Sequence, residues 1–203
     1  ELAASDTPLG AVRRQNVAVL FTDIVGFTGM SEQRSPEQVI ALLRGFHGRM
    51  EEIVFAHGGT LDKYIGDAVM ATFGTPESGA RDASDALACA RTMAAAMKAW
   101  NAERAAAGEA PVEAGIGVQY GPAVLGDIGG AHRLEFAVIG DTVNVASRLE
   151  RLTRNLDVEI VVGGDLVAEV RREGGGENLL EGFSERIGQE IPGRSGTITI
   201  WAR

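Results

Sequence analysis

Short apolar segments alternate with amphipathic ones along the chain and predict a protein built from both strands and helices. The run at residues 17–21 is typical of a buried strand, and it ends at Asp23. The segment Ser35-Pro36-Glu37-Gln38 predicts a helix start, because Ser caps, Pro fits the first helical position and Gln38 completes a capping box. A helical stripe then runs as far as Gly58, formed by Val39, Leu43, Phe46, Met50 and Ile53.

The rest of the chain continues this alternation. Strands are predicted at 60–65 and 68–73, joined by a turn at Gly66-Asp67. Residues 1–14 are polar and aperiodic, so we interpret them as a linker. The further elements are an Ala-rich helix at about 80–107, strands at 112–120, 123–128 and 134–139, a helix at about 142–153, a strand at 159–162, a short helix at 165–172 and three short strands within 178–203. This order indicates helices layered on a mixed sheet.

The composition limits the classes of partner. A length of 203 residues supports one sizeable core, and we assign a single domain to residues 15–203. The net charge of −9 argues against binding to nucleic acid or an anionic membrane. An acidic protein that binds a polyanion must neutralise it locally, for which metal ions or a few placed cations are the usual means.

The cellular compartment is the next expectation. Cys89 is the single cysteine, which excludes an intrachain disulfide and fits a reducing compartment. No apolar run approaches the roughly 18 residues of a membrane span. We therefore expect a cytoplasmic domain. Because the chain begins with Glu1, we leave room for sensor or membrane segments upstream in a longer protein.

Asp23 and Asp67 are the sharpest chemical candidates. Each follows a strand and lies next to a glycine turn, where a fold exposes ligands on a rigid base. Either residue alone would be interpreted as capping a turn. The two together favour a site for Mg²⁺, which prefers oxygen ligands. Two such ions about 3.5–4 Å apart stabilise both the attacking and the leaving oxygen of an in-line phosphoryl displacement.

The loop Ile24-Val25-Gly26-Phe27-Thr28 is a second candidate. A glycine after a strand lets backbone N–H groups face an anion, so this loop would suit a triphosphate. It is not a Walker A loop, because Gly-Lys-Ser/Thr is missing.

Three longer segments carry a family resemblance. Residues 21–28 (FTDIVGFT) and 61–70 (LDKYIGDAVM) resemble the two metal-binding segments of class III adenylyl and guanylyl cyclases, and 138–150 (VIGDTVNVASRLE) resembles their transition-state segment. The resemblance covers about residues 15–203. It implies an α+β fold with a ferredoxin-like βαββαβ core, a mixed sheet and extra C-terminal strands. It also implies that two domains pair head to tail.

The resemblance also implies residue roles. Asp23, Asp67 and the Ile24 carbonyl would bind two Mg²⁺ or Mn²⁺ ions. Lys63 would select adenine. These residues would come from one subunit of a homodimer that converts ATP to cyclic AMP and pyrophosphate. Asn144 would orient the ribose and Arg148 would stabilise the reacting α-phosphate, both from the other subunit.

The physical chemistry of these side chains agrees with the implied roles. Asn144 and Arg148 are four residues apart, so they share one face of a helix. The planar fork of an arginine suits a charged phosphorane. The adenine N1 is an acceptor that the Lys63 ammonium satisfies, whereas guanine carries an N1–H donor there. Lys63 therefore favours ATP over GTP. Glu150 precedes Arg154 by four residues, which predicts a minor ion pair.

Two positions depart from the family pattern. The partner of the adenine-selecting lysine is usually Asp, Thr or Ser, but Ala137 stands at that position and has no polar side chain. The phosphate-binding cation near the C-terminus falls in Ile191-Pro192-Gly193-Arg194, where Arg194 is the candidate. Ala137 keeps a guanylyl or mixed-purine cyclase open as the alternative. The alternative from a different functional class is a regulatory module that binds a nucleotide without catalysis.

Overall fold

The computed structural model describes residues 12–130 and 133–203. The strands are β1 (Arg13–Ile24), β2 (Thr60–Ile65), β3 (Ala68–Phe73), β4 (Ala114–Gly130), β5 (Arg133–Ile139), β6 (Ile160–Gly163), β7 (Ser184–Glu190) and β8 (Thr197–Ala202). The helices are α1 (Phe27–Glu32), α2 (Pro36–Ala56), α3 (Asp82–Ala106), α4 (Asp141–Leu156) and α5 (Gly164–Arg172). No helix in these two ranges is long and apolar enough to span a membrane.

The strands form one mixed sheet in the order β2-β3-β1-β4-β6-β8-β7, and β5 pairs with the far end of β4. β1 runs antiparallel to β3 and β4, whereas β4 and β6 are parallel. The order β2-β3-β1-β4, with α2 and α3 as the connections, is the ferredoxin-like arrangement. The α+β prediction with extra C-terminal strands is therefore confirmed.

The apolar run of β1 is buried on both faces of the sheet. Ala18 and Leu20 belong to the main core, which α2, α3 and α5 cover. Val17 and Val19 face the opposite side, where they pack in a second cluster with residues of β4 and α4. A strand covered by helices on both faces shows no polar alternation, which explains the continuous run in the sequence.

The predicted start of α2 is confirmed by its hydrogen bonds. The Ser35 hydroxyl accepts from the Gln38 amide N–H at 3.4 Å, and Oε1 of Gln38 accepts from the Ser35 N–H at 2.9 Å. The helix ends at Ala56, and Gly58 follows with a φ of 72°. Such a left-handed position after a helix favours glycine.

Glycines of β4 allow α4 to approach the sheet closely. A Cβ built at Gly117 would lie 2.1 Å from the backbone nitrogen of Glu150 and 2.5 Å from the carbonyl oxygen of Ala146. A Cβ at Gly115 would lie 2.4 Å from Oγ1 of Thr153. The backbone of α4 therefore rests directly on β4, and this contact sets the position of the residues on its outer face.

Several element predictions need correction. β1 already begins at Arg13, inside the segment predicted as a linker, and residues 1–11 lie outside the described part of the chain. β4 is one continuous strand where two were predicted, at 112–120 and 123–128, because β1 pairs with it without a break from Leu125 back to Ala114. The tail forms two strands and a 3-10 turn at Glu177–Leu180 instead of three strands.

Candidate active site

The turn between β2 and β3 brings Asp67 to the end of β1, where Asp23 lies. β3 pairs with β1 up to Thr22 and Val69, so the residues that follow on β1 and precede on β3 are neighbours. The Asp67 carboxylate is near enough to that of Asp23 to raise its pKa. The two carboxylates that the sequence singled out thus meet at one edge of the sheet.

The electrostatics of this pair suit a cation. Burial and, after it, the proximity of the Asp67 carboxylate together raise the pKa of Asp23 from 3.8 to about 7. No N–H or O–H group of the described residues donates to the buried Oδ1 of Asp23. An unpaired buried carboxylate oxygen beside a second carboxylate is stabilised by a bound divalent ion. The residues therefore fit a metal site of two carboxylates, and within 12–130 and 133–203 no group of three or more His, Cys, Asp or Glu forms a larger one.

His47 supports the same turn from α2, a contact that no sequence pattern predicted. Its Nε2 lies 3.3 Å from the carbonyl oxygen of Asp67. Its ring stacks on Tyr64, with the ring centroids 4.4 Å apart. The turn that carries Asp67 is therefore packed against a helix and does not project freely.

The loop predicted to hold phosphate is only partly available. The Val25 N–H donates to the carbonyl oxygen of Glu113 at 2.9 Å, so Val25 is removed from the predicted donors. Gly26 adopts a φ of 70° and turns the chain into α1, where Phe27 and Thr28 are the first residues. First-turn amides of a helix have no intrahelical acceptor, so Phe27 and Thr28 remain as donors. Ile24 is buried in the core beneath this loop, which fixes the backbone next to Asp23.

Asn144 and Arg148 lie on the outer face of α4, whose inner face is buried through Val145 and Leu149. Asn144 is exposed and lines a cavity of about 320 Å³ that Asp23 also lines. Arg148 is half-buried and its Nη2 lies 3.5 Å from where a Cβ of Gly193 would be, in the turn between β7 and β8. The shared helical face predicted from the spacing is present.

Lys63 lies between two carboxylates of its own chain. Its Nζ is 2.6 Å from Oε1 of Glu135 on β5 and 3.5 Å from Oδ2 of Asp62. The hydrogen bond with Glu135 raises the pKa of Lys63. Ala137 is two residues beyond Glu135 on the same face of the strand and only 4% exposed. Glu135 was missed from the sequence, although the two-residue period of a strand could have drawn attention to it.

Arg194 contacts a different partner from the one predicted. It follows Gly193 in the turn between β7 and β8, and its Nη1 pairs with Oδ2 of Asp141, the first residue of α4. The Arg194 guanidinium is thus already paired with a carboxylate. This ion pair would have to break before Arg194 could bind phosphate.

Arg154 is a further residue that the sequence did not assign to the site. Its predicted ion pair with Glu150 is present, with Nη1 at 2.8 Å from Oε1. The other terminal nitrogen, Nη2, lies 3.3 Å from Oδ2 of Asp23. The arginine therefore connects α4 to the end of β1.

Comparisons with known proteins identify the family of the chain. The family model described as the adenylate and guanylate cyclase catalytic domain matches residues 9–174. The chain is 38% identical over 161 residues to "Adenylate cyclase 1" of Rhizobium meliloti, covering 79% of this chain and 24% of the relative. It is 34% identical over 200 residues to "Adenylate cyclase" of Anabaena cylindrica, covering 95% of this chain and 38% of the relative. The chain thus spans 24% and 38% of the lengths of these two relatives.

Solved structures give the same likeness. The adenylyl cyclase CyaB from P. aeruginosa superposes with a TM-score of 0.83 at 29% identity, covering 95% of each chain. A guanylyl cyclase structure superposes with a TM-score of 0.81, also at 29% identity, covering 95% of this chain and 93% of that one. Structures of both nucleotide specificities therefore share this fold.

Proposed function

Since the chain belongs to the adenylate and guanylate cyclase catalytic domain family, we propose that it is an adenylyl cyclase that converts ATP to 3′,5′-cyclic AMP and pyrophosphate. The observation that carries the proposal is the meeting of Asp23 and Asp67 at the end of β1, with a buried oxygen of Asp23 that no donor of the described residues reaches. The 3′-oxygen of the ribose forms a bond to the α-phosphorus, and the bond from that phosphorus to the pyrophosphate oxygen breaks. The 3′-hydroxyl proton is released.

Asp23, Asp67 and the backbone carbonyl of Ile24 would hold two Mg²⁺ or Mn²⁺ ions. When bound, these ions would neutralise phosphate charge and favour ionisation of the 3′-hydroxyl group. The N–H groups of Phe27 and Thr28 lie at the start of α1, beside Asp23, and would donate to the triphosphate. Arg194 would add a cation to the triphosphate after leaving Asp141.

The active sites would be shared between two copies of the chain. Asn144 and Arg148 lie on the outer face of α4, so a partner can receive them. Asn144 would orient the ribose of the nucleotide that the partner's carboxylates hold. Arg148 would stabilise charge on the α-phosphate during the displacement. A two-fold dimer forms two equivalent sites in this way.

Lys63 would recognise the adenine base. Its ammonium donates to an acceptor such as the adenine N1, and the Glu135 carboxylate beside it can accept from the adenine amino group that Ala137 cannot serve. The family resemblance implied that Lys63 comes from the same subunit as the metal-binding carboxylates. The contact with Glu135 instead groups it with β5, so in our proposal Lys63 acts from the same chain as Ala137, Asn144 and Arg148.

The relatives support ATP, because two of them carry the name adenylate cyclase. A guanylyl or mixed-purine cyclase is the second candidate, since Glu135 can also accept from the N1–H and amino groups of guanine.

We place the domain in the cytoplasm, with no nucleic-acid partner. Sensor or membrane segments upstream are compatible with the share of its relatives that the chain spans.

The decisive experiment is a turnover assay with ATP and GTP, each with Mg²⁺ or Mn²⁺, in which cyclic nucleotide and pyrophosphate are separated by chromatography. We expect cyclic AMP as the main product, and its loss in Asp23→Asn and Asp67→Asn but not in Glu32→Gln, an exposed residue of α1. Cyclic GMP as the main product would establish the alternative. Binding of ATP without release of pyrophosphate would indicate a regulatory module.

A further inference from the structure

The side chain of Arg154 bridges two carboxylates that belong to different elements. Nη1 donates to Oε1 of Glu150 at 2.8 Å, and Nη2 donates to Oδ2 of Asp23 at 3.3 Å. Because two different nitrogens of one planar guanidinium make these contacts, the position of each carboxylate constrains the other.

Glu150 is a rigid anchor for this bridge. Glu150 is 4% exposed. A Cβ built at Gly115 of β4 would lie 2.7 Å from its Oε1, so the carboxylate fills the space that a larger residue at position 115 would occupy. A buried carboxylate needs a charged or hydrogen-bonding partner, and Arg154 supplies it. The arginine is therefore held on α4 even though its own side chain is 30% exposed.

The bridge leaves the two oxygens of Asp23 in different surroundings. Oδ2 accepts from Arg154, whereas no donor among the described residues reaches the buried Oδ1. We propose that Arg154, held by Glu150, is a positioning residue that fixes the carboxylate of Asp23 so that Oδ1 is presented to the divalent cation. This inference rests on the metal site of the proposed function.

The charge of Arg154 makes the proposal testable, because charge and position predict opposite effects. A positive charge beside a cation site repels the cation, so its removal should tighten metal binding by Coulomb's law. If the arginine positions Asp23, its removal should weaken binding instead. Groups that orient a metal ligand typically contribute about 10–100-fold to metal affinity.

The experiment measures Mn²⁺ affinity of the full chain by electron paramagnetic resonance without nucleotide. We expect Arg154→Met to weaken binding at least tenfold, and Arg151→Met, which removes the same charge from the same helix, to leave it unchanged or tighter. Arg154→Lys keeps the charge without the planar fork and should give an intermediate affinity. Circular dichroism checks folding, and if Arg154→Met does not fold, the Lys variant decides.

An unchanged or tighter affinity in the Arg154 variants would overturn the positioning role and leave the proposed function standing. The proposed function fails separately if Asp23→Asn binds Mn²⁺ as tightly as the wild type. That outcome would remove the metal site, and this inference with it.

Discussion

Nζ of Lys63 lies 2.6 Å from Oε1 of Glu135, two residues before Ala137, the position at which the family resemblance predicts a polar partner for this lysine. The carboxylate thus restores an acceptor next to the lysine from a neighbouring position of the same strand. Together with Asp62, whose Oδ2 lies 3.5 Å from Nζ, Glu135 restrains the lysine ammonium.

Removal of this carboxylate should impair recognition of the base. We expect Glu135→Ala to lower kcat/KM for ATP about tenfold or more, because hydrogen bonds to charged groups contribute about 1.5–3 kcal/mol. The measurement is kcat/KM for ATP and GTP in the variant and in Glu32→Ala as the control. If both constants match the wild type, Glu135 plays no part in base recognition.

The close approach of α4 to β4 gives a prediction on stability. Gly117→Ala would place a Cβ 2.1 Å from a backbone nitrogen of α4, which cannot move without displacing the helix. We expect a loss of about 3 kcal/mol in the free energy of unfolding, with loss of activity because Asn144 and Arg148 shift.

Gly48→Ala is the matched control, since a Cβ at this helical glycine meets no atom of the other described elements within 4 Å. Alanine should there stabilise α2 by about 0.5–1 kcal/mol. Urea titrations of both variants measure the two effects. Similar stabilities for the two alanine variants would show that α4 does not depend on the glycines of β4.

The sequence predicted those parts of the fold that depend on local chemistry. The start of α2 was predicted because its capping box involves neighbouring residues, and the hairpin of β2 and β3 because Gly66 marks its turn. None of the six residues of α1 is fully buried, and only Phe27 and Met30 pack against the core, so the segment has too short an apolar stripe to predict a helix. The continuity of β4 depends on its pairing with β1, a long-range contact that joins the two strands predicted separately at 112–120 and 123–128.

The same distinction holds for the candidate site. Asp23 and Asp67 could be paired in advance because both lie where predicted strands end. The contact of Lys63 with Glu135 joins residues 72 positions apart, and that of Arg154 with Asp23 joins residues 131 positions apart. No local pattern contains such contacts, which arise only when the sheet is assembled.

Cys89 gives a prediction on pH dependence. Burial in α3 raises the pKa of its thiol from 9.0 to about 12. Between these values the folded chain binds a proton that the unfolded chain has lost, so its contribution to stability is complete below pH 9 and falls above it. At pH 10 the free energy of unfolding should decrease by about 1 kcal/mol relative to pH 8, after subtraction of the change in Cys89→Ala. An equal pH dependence in both proteins would contradict this, as would rapid reaction of the native thiol with a disulfide reagent at pH 8.

A mixing experiment tests whether two copies of the chain share each active site. Asp23→Ala removes a metal ligand and should abolish turnover, whereas Arg148→Ala should lower kcat by about 10²–10³-fold, as loss of a group that stabilises transition-state charge does. In a heterodimer of the two variants, one site carries both defects and the other carries neither. Equal mixing should therefore recover about a quarter of the wild-type activity, since half of the dimers are mixed and each has one intact site.

The activity of the mixture is compared with each variant at the same total concentration, and Asp23→Ala mixed with Asp67→Ala is the control. That control pair should recover nothing, because both defects fall on one half of the site and every site then contains one of them. Recovery in neither mixture would contradict sharing, and recovery in both would contradict the placement of Asp23 and Asp67 on the same half.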